Sequence, residues 1–232
     1  MRDMNGEIYV TDIQENNVKV IYHLQGGKLE ETAKIDSRYT VITMDKDYLY
    51  VQKNEKEAIK QIKINTPDKV EDGENSSVKN LSAFFEKYNT EDYTIQRYEY
   101  EKDNWYIYLM NWENDKNELY RIDKNGESKL VVDSAHMAWA GVKEGKVYVS
   151  LSGGDVSQNA EELYSIDEDG NRELYCRLSQ MKGLEENAFD VHMGEWMEEG
   201  FMLLDEGPRS KIVIYDEKEN KITYLSEWEK QQ

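Results

Sequence analysis

The chain has 232 residues, with 48 acidic and 29 basic side chains, a formal charge of −19 and a mean hydropathy of −0.88. A field of that sign repels phosphate backbones and anionic lipid, which argues against nucleic acid and membrane surfaces as partners, and no run approaches the ~20 apolar residues of a membrane span. Disorder is excluded on composition, because 17 Tyr and 5 Trp supply large apolar area and favour strands.

In chain order, short apolar strands are predicted at Glu7–Val10, Tyr39–Ile42 and Tyr48–Val51, the last two separated by the charged turn Asp45-Lys46-Asp47. The pattern then breaks. A polar stretch, Glu71 to Ser77, leads into Leu81, Phe84, Phe85 and Tyr88, whose spacing predicts a short amphipathic helix capping the junction of two strand units. Strands resume at Trp105–Leu109, Glu118–Ile122 and Ser128–Val132, then at Met137–Val142, Val147–Leu151, Glu162–Ile166 and Arg172–Cys176. A second helical turn is expected within 180–188, before strands at Phe201–Leu204, Lys211–Asp216 and Lys221–Leu225.

The strands repeat. Glu118-Leu119-Tyr120-Arg121-Ile122-Asp123-Lys124-Asn125-Gly126 returns 44 residues later as Glu162-Leu163-Tyr164-Ser165-Ile166-Asp167-Glu168-Asp169-Gly170 (162 − 118). Each copy reads as a hairpin closed by a tight Asn-Gly or Asp-Gly turn, and a third copy spans Lys211 to Leu225. Each hairpin follows another pair of strands, so the unit is four antiparallel strands, called a to d in order, in about 40 to 55 residues. That is the size of a β-propeller blade. The expected fold is therefore all-β: a single propeller domain over residues 1–232, of about five four-stranded blades at roughly 6–35, 38–80, 92–133, 136–178 and 190–228. The first unit lacks an evident strand a. The chain is read either as a five-bladed ring with one short blade or, preferentially, as a larger propeller truncated at its N-terminus, with self-association through the open blade edge.

The run Trp105-Tyr106-Ile107-Tyr108, followed by Leu119-Tyr120-Arg121-Ile122-Asp123-Lys124-Asn125-Gly126, resembles the blade signature of bacterial propellers that are themselves similar to the YWTD propellers of low-density-lipoprotein receptors and to TolB-like propellers. The resemblance is closest in the third and fourth units. It implies six blades more often than five and an exported or cell-surface setting. Met1-Arg2-Asp3-Met4-Asn5-Gly6 carries no apolar signal core. The YWTD tetrad itself is absent, and no site residue carries over.

Four residues are ligand-binding candidates. Trp112, in the loop between strands b and c of the third unit, is a stacking residue if exposed. His136 and His192 each open a strand a, eight or nine residues before a turn glycine, and strand a lines a propeller's axis. Trp139 lies in the same strand as His136 and is read mainly as core. Three other features are read as structural. Asp167 to Asn171 is too short for an EF-hand calcium loop, Cys176 sits in a strand without a neighbouring His, and among 48 acids a close carboxylate pair carries no specificity. No cofactor fingerprint or metal cluster is present, so no cofactor or metal is expected. These readings favour a non-catalytic binding or scaffold propeller presenting loops to a protein or glycan. The alternative is a hydrolase or lyase with an acidic site in the central channel.

Overall fold

A computed structural model describes residues 1, 3–14, 16–25, 28–54, 57–67, 69–135, 137–151, 162–177, 182, 191–196, 201–205 and 211–224. The strands are β1 (Tyr9–Gln14), β2 (Val18–Gln25), β3 (Lys28–Asp36), β4 (Thr40–Met44), β5 (Tyr48–Gln52), β6 (Lys60–Lys63) and β7 (Val70–Asp72). After helix α1 (Ser76–Tyr88) come β8 (Tyr93–Glu101), β9 (Asn104–Asn111), β10 (Lys116–Ile122) and β11 (Ser128–Ser134). Then follow β12 (Met137–Lys143), β13 (Lys146–Leu151), β14 (Glu162–Ile166), β15 (Arg172–Arg177), β16 (Val191–Trp196), β17 (Phe201–Asp205), β18 (Lys211–Asp216) and β19 (Lys221–Tyr224).

Among the described residues these strands make five antiparallel sheets in chain order: β1-β2-β3, then the four-stranded β4 to β7, β8 to β11, β12 to β15 and β16 to β19. Each is a meander of sequential neighbours. The chain is thus the all-β succession of about five propeller-type blades that the repeat predicts, with a three-stranded first blade. Beside β1, Met1 exchanges two main-chain bonds of 2.9 Å with Tyr9. The polar stretch after Pro67 is not wholly loop, since its first residues form β7 and complete the second blade.

The Asn-Gly and Asp-Gly hairpin turns share one construction. At Asp123 to Glu127, the Asp123 carbonyl accepts from Gly126 N at 3.0 Å, and Asp123 N donates to the Glu127 carbonyl at 3.0 Å. Only Gly126 has positive φ, +88°, so the loop is a three-residue turn ending in a left-handed glycine. Asp123 Oδ1 accepts from Asn125 N and Glu127 N, both at 2.9 Å. The same construction recurs at Asp167 to Asn171 and, unforeseen, at Asp3 to Glu7.

The chain packs as two compact units. The first comprises Met1–Trp112 with Tyr120–Lys129, and the second Glu113–Leu119 with Leu130–Gln232. In the first, Ile21, Ala33 and Ile35 of the first blade meet Met44, Leu49, Val51 and Ile62 of the second. α1 fills the next interface as its spacing predicts. Leu81, Phe84, Phe85 and Tyr88 pack with Ile42, Tyr50 and Ile59 of the second blade and Trp105, Ile107 and Leu109 of the third. Asn75 starts the helix, its side chain accepting from Ser77 N and Val78 N. Trp105 Nε1 donates to the Ser77 carbonyl at 2.9 Å and fixes the helix on the sheet.

In the second unit, Val147, Val149, Leu163 and Ile166 are buried, and Tyr175 makes edge contacts with Tyr148 and Tyr215. β12 runs beside β16.

Four first strands share a feature the sequence does not announce. Each carries one extra residue against its partner: Ile42 in β4, Gln96 in β8, Ala140 in β12 and His192 in β16. The residue after the bulge pairs with Tyr50, Tyr108, Tyr148 or Leu204 respectively. Bulges re-aim the side chains around them. Among the described residues, no helix is long and apolar enough to cross a membrane.

Candidate functional site

The bulges at Ile42 and Gln96 flank a cavity of about 740 Å³ in the first unit. That volume lies within the ~300–1,000 Å³ of small-molecule sites. Thr40 and Ile42 line it from β4, and Gln52 and Asn54 from the end of β5 and the turn after it. Phe85 and Tyr88 come from the last turn of α1, Asn89 is its C-cap, and Tyr93, Thr94, Ile95 and Tyr98 come from β8.

These walls are set by packing. Tyr88 stacks on Phe84 at 4.3 Å and meets Tyr93 edge-on at 4.9 Å, and Phe85 tilts against Tyr98 at 5.5 Å. Such pairs hold aromatic rings in fixed orientations. Gln52 Nε2 donates to the Glu57 carbonyl at 2.6 Å, which anchors that amide. Burial pushes the Tyr98 phenol up to about 12, so it stays a neutral hydroxyl.

Trp112 is bonded to one lining residue but is not part of the lining. Its main-chain N donates to the Asp92 carbonyl at 2.7 Å, and its Nε1 donates to Thr94 Oγ1 at 2.9 Å. The side chain is nonetheless 57% exposed. The indole is therefore held in place while its surface stays open to solvent beside a residue that lines the cavity.

The other candidates lie elsewhere. Trp139 is 1% exposed, and its Nε1 donates to the Gly141 carbonyl at 3.0 Å. His136, the loop 153–159 and the expected helical turn at 180–188 lie outside the described residues, apart from Lys182, and so does the His192 side chain. In the main-chain ladders Met137 opens β12 opposite Leu151, while His192 is the second residue of β16 and forms its bulge.

His23 stacks on Tyr9 at 4.8 Å and lies 3.1 Å from Glu7 Oε2. Burial pushes the Cys176 thiol up to about 12, the opposite of an activated nucleophile. Among the described residues, no group of three His, Cys, Asp or Glu side chains is disposed to hold a metal ion.

Sequence reasoning missed the cavity. Its residues come from β4, β5, α1 and β8, and no short motif unites them. The signal that was available is local: Tyr93, Ile95 and Tyr98 follow directly on the helix bearing Phe85 and Tyr88.

No family model matches the chain, and no curated protein does. Among solved structures it is similar to an oligogalacturonate lyase in complex with manganese, at 9% identity over 94% of this chain and 72% of that one, with a TM-score of 0.46. A protein from Lactobacillus plantarum matches at 10% identity over 94% of this chain and 66% of its own, with a TM-score of 0.37. The WD40 domain of SCAP from fission yeast matches at 12% identity, 93% and 63% coverage, and a TM-score of 0.30. Such distant likenesses transfer no residue role to this chain.

Proposed function

We propose that the chain is a non-catalytic binding module of propeller type, and that a glycan binds at the cavity lined by Thr94, with Trp112 as its stacking residue. The observation that carries this reading is Trp112 itself: a large ring open to solvent and pinned by Thr94, a residue that also lines a cavity walled by further rings. The C–H face of a sugar packs on such rings, and its hydroxyls need donors and acceptors in the same plane. The lining brings together the carboxamides of Gln52, Asn54 and Asn89 and the hydroxyls of Thr40 and Thr94, with Gln52 Nε2 and Asn54 Nδ2 held by Glu57. An indole already held in its bound orientation loses little entropy on binding.

Binding is favoured over hydrolysis by the lining. Glycoside hydrolysis takes a pair of carboxyl groups flanking the scissile bond, and no carboxylate lines this cavity among the described residues. The test is retention on immobilised gluco-, galacto- and manno-oligosaccharides. The wild-type chain is expected to be retained by at least one of them, with affinity falling about three- to tenfold in Trp112→Ala. Equal retention of both proteins would remove Trp112 from the site, and no retention of the wild type would refute the glycan reading.

A further inference from the structure

We propose that this cavity discriminates by charge, taking neutral hexopyranose oligosaccharides and rejecting their uronate counterparts. The inference rests on the glycan reading above and narrows it to a ligand class.

Charged side chains make up 33% of the sequence, yet none lines the cavity among the described residues. The polar groups it offers are carboxamides and hydroxyls, which pair with a sugar hydroxyl as donor or acceptor but cannot neutralise a carboxylate. A carboxylate moved from water into such a wall loses hydration without gaining a counter-charge. Lys87 is the cation described at this end of α1. Its ammonium lies over the Tyr88 ring, 4.9 Å from the centroid, and does not line the cavity. The net charge of −19 acts in the same direction, lowering the local concentration of anionic sugars at low ionic strength. Local lining and global field thus both disfavour an anion, and the rings favour a saccharide face.

The experiment takes the tightest-binding neutral oligosaccharide from the panel above and two derivatives of it. In the first, the C6 hydroxymethyl groups are oxidised to carboxylates; in the second, those carboxylates are methyl-esterified. Calorimetry of the full chain with all three ligands is expected to show the carboxylate form at least about tenfold weaker than the parent (~1.4 kcal/mol), with the methyl ester recovering most of the loss. The ester is bulkier than the carboxylate, so recovery assigns the effect to charge and not to size. A carboxylate form that binds as well as the parent would overturn the inference while leaving the glycan site standing. An ester as weak as the acid would overturn it too, because exclusion would then be steric. If no panel member binds, the glycan reading itself fails, and this inference fails with it.

Discussion

Trp112 Nε1 donates to Thr94 Oγ1 at 2.9 Å, diagonally across the β8–β9 ladder in which Tyr93 pairs with Asn111. The bond fixes an exposed indole against a strand that lines the cavity. Thr94→Val keeps the shape and β-branching of the side chain but removes the acceptor. Ligand affinity is expected to fall about threefold or more, while the unfolding free energy from urea denaturation stays within ~0.5 kcal/mol of wild type, because the bond is exposed. A large stability loss with unchanged affinity would mean that the bond serves the fold alone.

Gly126 and Gly170 occupy equivalent turn positions, both at φ +88°, but their surroundings differ. A Cβ on Gly126 would lie 2.9 Å from Asn80 Oδ1, whereas one on Gly170 meets nothing within 4 Å. Asn80 Nδ2 donates to the Lys124 carbonyl at 3.2 Å and ties α1 to this turn. Both Gly→Ala changes are expected to cost ~1–2 kcal/mol for the left-handed backbone. Gly126→Ala should cost up to ~1 kcal/mol more as the Asn80 contact is displaced. In an Asn80→Ala background that extra cost should vanish, which a double-mutant cycle by urea denaturation measures directly.

α1 links stability to the site, because Phe85 and Tyr88 are both helix residues and cavity wall. Asn75→Ala is expected to cost ~1 kcal/mol through loss of the N-cap. Phe84→Ala, which removes the ring that Tyr88 stacks on, should cost ~3–5 kcal/mol. Only the second change disturbs a wall, so at a temperature where both variants remain folded it should weaken ligand binding while Asn75→Ala leaves it intact.

Alkaline stability follows from the buried phenols. Burial raises Tyr98 to about 12, and Tyr50 and Tyr108 are pushed up as well, mainly by burial. An unfolded tyrosine releases its proton near pH ~10. Since the folded state holds the proton more tightly, this stability is fully present below about pH 10 and is lost as pH rises from there towards 12. Each such tyrosine contributes at most ~1.4 kcal/mol per pH unit to the decline. Tyr98→Phe should therefore flatten the alkaline limb by about one proton's slope and leave the curve below pH 9 parallel to wild type.

The sequence made the hairpins legible because Leu119-Tyr120 and Leu163-Tyr164 sit at the same alternating positions before the same Asp-x-x-Gly turn. α1 was equally readable, since Leu81, Phe84, Phe85 and Tyr88 fall on one helical face. The bulges were not. An extra residue such as Gln96 or Ala140 leaves no mark in the residue types of an apolar-polar alternation, yet it shifts every later position by one. The length of the turns was not legible, because an Asn-Gly pair looks the same whether the loop holds two residues or three. Of the site, Trp112 was visible as an aromatic in a loop. The cavity beside it was not, because Thr40, Gln52 and Tyr88 meet only once the sheets and the helix have packed.

The most direct test of the central claim is a crystal structure of the chain with the tightest-binding neutral oligosaccharide at saturating concentration. The account expects a sugar ring against the Trp112 indole and a second within reach of Gln52 and Tyr93. A saccharide bound elsewhere on the chain, with this cavity occupied only by water, would contradict it.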